Sequence, residues 1–89
     1  MQLPSSDDPL APALSLLTRS VAELLEIAPD ALSVSDDILD QGLDSVRLML
    51  LVERLRERGV DVDFMDLTQF TTLLEWSELL TQRGFEAER

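Results

Sequence analysis

Three stretches of this chain set apolar residues three and four positions apart, and that spacing limits the fold more than any other property. Leu14, Leu17, Val21, Leu24 and Leu25 form the first stripe. Leu48, Leu51, Val52 and Leu55 form the second, and Leu73, Trp76, Leu79 and Leu80 the third. Each stripe marks one face of an amphipathic helix. One short run alternates instead, Val60, Val62 and Phe64; it has no partner strand and reads as an extended linker. The expected class is an all-α bundle, and 89 residues allow a single domain with a modest core.

Local signals place the helix ends. Pro12 suits an early helical position, and Pro29 closes the first helix near Ile27. Residues 28 to 43 form a long loop pinned by Leu32, Ile38, Leu39 and Leu43. The second helix runs from Ser45 to about Arg58 and stops at Gly59 after a basic last turn. Phe64 to Gln69 makes a short third helix. Thr72 with Glu75 three residues on is a capping box that opens the fourth. Residues 1 to 11 and 83 to 89 are expected to be flexible tails around a domain spanning 12 to 82.

On the second helix, Leu48, Leu51, Val52 and Leu55 share an arc without a charge and face the core. Val46, Met49 and Leu50 fall among Arg47, Glu53, Arg54 and Glu57. Leu50 is expected to be covered by a neighbouring helix, and Val46 and Met49 to form a docking surface. Trp76 is read as a core anchor.

At Gly42-Leu43-Asp44-Ser45 the glycine permits a bend closed to residues with a Cβ, Asp44 is a good N-cap, and Ser45 is delivered to the mouth of the second helix. The chain contains no histidine, cysteine, lysine or tyrosine, so Ser45 has only carboxylates for company and no triad can form. A displayed but unactivated serine is the mark of a protein substrate, not of an enzyme. The absence of cysteine rules out disulfides and thiolate metal sites and fits a reducing compartment. Asp36, Asp37, Asp40 and Asp44 around Gly42 do not make a calcium loop, because Leu39, Gln41 and Leu48 stand where oxygen ligands are required. No metal site is expected.

A net charge of −11 opposes the counterion release on which nucleic-acid binding depends. It serves solubility and is compatible with steering toward basic partner faces. No signal peptide or membrane-spanning run is present, so a cytoplasmic monomer without membrane or nucleic-acid partners is expected.

Gly42-Leu43-Asp44-Ser45 followed by Val46-Arg47-Leu48-Met49 resembles the attachment motif of carrier proteins, whose serine is modified with 4′-phosphopantetheine. The upstream helix, the acidic Asp36-Asp37-Ile38-Leu39 segment and the threonine-opened last helix extend the likeness over about residues 12 to 82. The resemblance implies a four-helix acyl-carrier-protein-like bundle. It also implies attachment at Ser45, set by Gly42, Leu43 and Asp44, and a phosphopantetheinyl transferase that moves the arm from coenzyme A. The family usually has proline where this chain has Thr71, which suggests a looser start to the last helix.

Asp44-Ser45-Val46-Arg47-Leu48-Met49 with Asp63-Phe64 is most similar to aryl carriers of siderophore-type nonribosomal peptide synthesis. That subtype implies salicylate or 2,3-dihydroxybenzoate held as a thioester, an aryl-adenylating enzyme for loading, and a condensation or cyclisation domain as acceptor. Docking would use Val46, Arg47, Met49, Phe64 and Thr68. Arg47, Arg54, Arg56 and Arg58 against Glu53 and Glu57 give the second helix a net charge of +2, unlike the acidic helix of fatty-acid carriers. A peptidyl, aminoacyl or polyketide carrier and an unmodified helical adaptor are the alternatives. With Trp76 placed in the core and three phenylalanines in all, no aryl pocket is expected.

Overall fold

The structure is a computed structural model that describes residues 11–85. The segments 1–10 and 86–89, which make up most of the two expected tails, lie outside the described residues. Four α-helices are present, α1 (Ala11–Leu25), α2 (Ser45–Glu57), α3 (Phe64–Thr68) and α4 (Leu73–Gln82), and no strand occurs among the described residues. α1 packs chiefly on α4 and also against α2, which in turn meets the short α3.

Pro12 sits in the first turn of α1, where its missing N–H costs no hydrogen bond. Because α1 lies between α2 and α4, it buries a wider face than its stripe suggests: Ala13, Leu16 and Ala22 are inside with Leu14, Leu17 and Val21. Leu24 and Leu25, nearer the open end, are half-buried. The core arc of α2 is as expected, with Leu48, Leu51, Val52 and Leu55 all buried. Leu50 is 44% exposed, contrary to the expectation that a neighbour covers it. α2 contacts α1 and α3 across its uncharged arc, and Leu50 falls outside that arc.

The three longer helices end in the same way. In α1, Ile27 N–H donates to Ala22 O and Glu26 N–H to Glu23 O; Val60 and Gly59 repeat the pair on Leu55 and Arg56, and Phe85 and Gly84 repeat it on Leu80 and Thr81. This is the Schellman motif, whose penultimate residue must turn left-handed. Gly59 and Gly84 do so at φ 86° and 89°, but Glu26 does so at φ 59° with a full side chain. The residue after each turn is apolar, and Val60 and Phe85 fold back onto the core. The packed chain therefore runs past Gln82 to Phe85, beyond the expected boundary of the domain.

Two backbone hydrogen bonds tie the long α1–α2 loop to the start of α4, Ile38 N–H to Thr71 O at 2.7 Å and Leu74 N–H to Val34 O at 3.0 Å. Leu32, Val34, Ile38 and Leu43 are its buried pins. Leu39, expected among them, is 54% exposed, because Ile38 takes the inward direction and Leu39 N–H is turned outward onto the Asp37 carboxylate.

Capping is denser than the sequence reading foresaw. Asp63 and Asp66 exchange reciprocal side-chain to backbone bonds of 3.0 Å and start α3. At α4, Thr72 Oγ1 accepts from Glu75 N–H, while the Glu75 carboxylate reaches back to Thr71 N–H at 3.2 Å. Thr71 thus supplies a donor that proline would lack, and the start of α4 is tied down rather than loose. Trp76 is buried, its indole N–H shared between Leu67 O and Phe70 O at 3.0 and 3.1 Å.

Candidate functional site

The site is assembled where the long loop meets α2. Ile38 O accepts from Gln41 N–H and Leu43 N–H, which folds the loop tightly ahead of Gly42. Gly42 has φ 117°, a conformation that L side chains rarely adopt, although a Cβ there would meet only Leu25 Cδ2, at 3.6 Å. Backbone conformation, not crowding, demands the glycine. Leu43 is buried and anchors the turn rather than offering a contact surface.

Asp44 is the N-cap of α2, its Oδ1 accepting from Arg47 N–H at 2.8 Å. That backbone bond foremost, with the Arg47 guanidinium beside it, holds the Asp44 carboxyl below the usual carboxylate range. Ser45 follows at the first helical position with its side chain exposed. No histidine, lysine, cysteine or tyrosine exists in the chain to deprotonate it.

The other expected site residues divide. Val46 and Met49 are 66% and 53% exposed and flank Ser45 on the outer side of α2. Thr68 is exposed at the end of α3, its hydroxyl donating to Met65 O. Arg47, expected in the docking set, is engaged within the domain: Nε donates to Leu24 O at 3.1 Å and Nη1 to Asp44 Oδ2 at 2.9 Å. It braces the end of α1 against the start of α2. Phe64, expected to be exposed, is half-buried against the core, while Met65 and Phe70 are the exposed apolar residues of that region.

A cleft of about 150 Å³ opens beside Ser45, lined by Ile38 and Leu39 of the loop, Leu48 of α2, and residues of α3, the following turn and α4, among them Phe64, Thr68, Phe70, Thr71 and Trp76. Residues far apart in the sequence thus meet next to the serine. Periodicity could not show this, because Phe70 lies in the turn between α3 and α4.

The helical scaffold thus holds an exposed serine at a helix N-terminus, with no histidine, lysine, cysteine or tyrosine in the chain to activate it. The N-terminal end of α2 suits a phosphodiester on Ser45 Oγ, since the first backbone N–H groups of any helix lack intrahelical partners and favour an anion. The family model described as "Phosphopantetheine attachment site" matches residues 15–80. The chain belongs to this family of carrier domains, which hold 4′-phosphopantetheine covalently and are not themselves catalytic.

Among its relatives, the isochorismatase of Bacillus subtilis is 45% identical over 68 residues, 76% of this chain and 22% of that protein. The phenyloxazoline synthase MbtB of Mycolicibacterium paratuberculosis is 43% identical over 72 residues, 80% of this chain and 6% of that protein. The chain thus spans less than a quarter of the length of these two relatives. The solved HMG-ACPI domain of the CurA module from Lyngbya majuscula superposes with a TM-score of 0.75 at 21% identity, covering 92% of this chain and 85% of that one. That likeness establishes the fold. Among the described residues no helix is long and apolar enough to cross a membrane, and no group of carboxylates is arranged to hold a metal.

Proposed function

We propose that Ser45 is the attachment residue and that the arm presents an aryl acid, of the salicylate or 2,3-dihydroxybenzoate type, to enzymes of siderophore-type nonribosomal peptide synthesis in the cytoplasm. One observation carries the reading: an exposed serine at the first position of α2, set by Gly42 at φ 117° and capped by Asp44, in a chain with no histidine, lysine, cysteine or tyrosine to activate it. The base and metal for its modification come from a phosphopantetheinyl transferase. When bound, the arm supplies a thiol that takes an acyl group as a thioester. Tethering then raises the effective concentration of cargo at each docked enzyme.

Support for an aryl cargo comes from a relative's name, that of a synthase of a phenyl-bearing heterocycle. The docking surface is Val46 and Met49 with Thr68, small enough for the brief contacts that successive partners require. An aryl-adenylating enzyme loads it, and a condensation or cyclisation domain receives the cargo.

Intact mass after incubation with coenzyme A and a broad-specificity transferase tests attachment. The wild type gains one arm, and Ser45→Ala gains none while keeping its helix content, since Asp44 still caps α2. Labelling of that variant refutes the assignment. Offering the holo protein matched aryl-adenylating and aminoacyl-adenylating enzymes tests the cargo, and preferential loading with an amino acid would make this a peptidyl carrier.

A further inference from the structure

The loop that delivers Ser45 is closed by one side chain that no sequence motif singles out. Gln41 is half-buried, and its carboxamide lies inside the loop like a rung: Oε1 accepts from Ser33 N–H at 2.7 Å, while Nε2 donates to Ser33 O at 2.9 Å and to Asp36 O at 3.2 Å. A longer approach of 3.5 Å reaches Asp37 O. The pairing with Ser33 reproduces the two-bond exchange of a sheet ladder within a loop that has no strand. Ser33 Oγ accepts from Asp36 N–H, and Asp37 Oδ1 accepts from Leu39 N–H, so the polar groups of the loop tip satisfy one another around the carboxamide.

Anchoring of the loop on the core does not depend on Gln41. Val34 and Ile38 are buried and hold their own backbone bonds to Leu74 and Thr71. What Gln41 governs is the tip between those anchors and Gly42. That tip holds Leu39, which is 54% exposed and forms the wall of the cleft next to Ser45.

We propose that Gln41 is a positioning residue for modification at Ser45: its carboxamide fixes the loop tip, and with it Leu39, in the shape that the modifying transferase grips beside the serine. This rests on Ser45 being the attachment residue. The recognised partner surface is one with an apolar contact for Leu39, bordered by basic groups facing the exposed Asp36 and Asp40. Gln41 does not touch the reacting oxygen, so its removal weakens recognition and leaves the chemical step alone.

Steady-state kinetics of arm transfer to the full apo chain, with coenzyme A and a phosphopantetheinyl transferase, provide the test. Gln41→Leu keeps the bulk of the side chain and removes all of its hydrogen bonds. It is expected to raise KM for the carrier about fivefold with kcat within about twofold, the scale of one lost net hydrogen bond. Amide exchange at Ser33 should accelerate in the same variant. Leu39→Ala, at an exposed position that cannot unfold the domain, should raise KM similarly and guards against a folding defect in the first variant. An unchanged KM in Leu39→Ala, or a fall in thermal stability of Gln41→Leu with KM unchanged, overturns the proposal. Ser45→Ala keeps the two readings apart: if it is still labelled, the attachment assignment fails, whereas an unlabelled Ser45→Ala beside wild-type kinetics in Gln41→Leu removes only the positioning role.

Discussion

Replacing Glu26 by glycine should stabilise this domain. Glu26 is the left-handed residue of the α1 Schellman turn, at φ 59°, where the equivalent residues after α2 and α4 are Gly59 and Gly84. A residue with a Cβ pays about 1 to 2 kcal/mol for that conformation. Glycine avoids this cost but loses about 0.5 to 1 kcal/mol through the greater backbone freedom of its unfolded chain. The balance favours Glu26→Gly by about 0.5 to 1 kcal/mol, which in a domain of this size raises Tm by roughly 2 to 8 °C. Removing a carboxylate from the negative end of a helix dipole acts in the same direction. Glu26→Ala isolates the backbone effect, because it loses the same charge and keeps the Cβ. Thermal melts followed by circular dichroism should therefore rank glycine above alanine. Equal Tm values for the two variants would mean that the strain relieved only matches the entropy glycine adds to the unfolded chain, and a lower Tm for glycine would refute the balance outright. Arm transfer should be unaffected in both, since Asp44 and Ser45 keep their own cap.

Met49→Ala, at a side chain 53% exposed, should slow loading by the adenylating enzyme and leave Tm nearly unchanged; Phe64→Ala, half-buried against the core, should cost about 2 kcal/mol in melts, roughly half the loss for a fully buried phenylalanine. The forked Arg83 guanidinium, 3.0 and 3.2 Å from the two Asp66 oxygens, and then the Asp63 N–H, hold the Asp66 carboxyl below its ordinary value of 3.8. A carboxyl lowered by folding contributes stability that is present above the unfolded value and is lost as pH falls through the folded one. Arg83→Ala should therefore melt with less pH dependence than the wild type below about pH 4 and run parallel to it near neutrality, and coincident acid limbs in pH-dependent melts would count against that pairing.

Much of the fold and part of the site could be read in advance because they are encoded locally. A helix reports itself through spacing, so the buried arc of α2 and the stripe of α4 follow from the order of residues alone. Gly42, Asp44 and Ser45 act through their own backbone and that of their neighbours, and the family resemblance of the motif carried the identity of the cofactor.

The structure decided what depends on contacts between segments far apart in the chain. Whether Ile38 or Leu39 turns inward is settled by the Ile38 bond to Thr71, and no periodicity operates in an irregular loop. Whether Arg47 is available to a partner depends on the end of α1, whose Leu24 carbonyl claims it. The meeting of Phe64, Phe70 and Trp76 beside Ser45 joins α3, the turn after it and α4, which the Trp76 indole bonds to Leu67 O and Phe70 O hold together. Gln41 looks like any polar loop residue until folding brings the Ser33 backbone to its amide. Sequence determined which faces are apolar and where the capped serine at the start of α2 stands, since helix periodicity and capping are short-range; tertiary packing determined which exposed and polar side chains are engaged within the domain, since that depends on what each one meets across the fold.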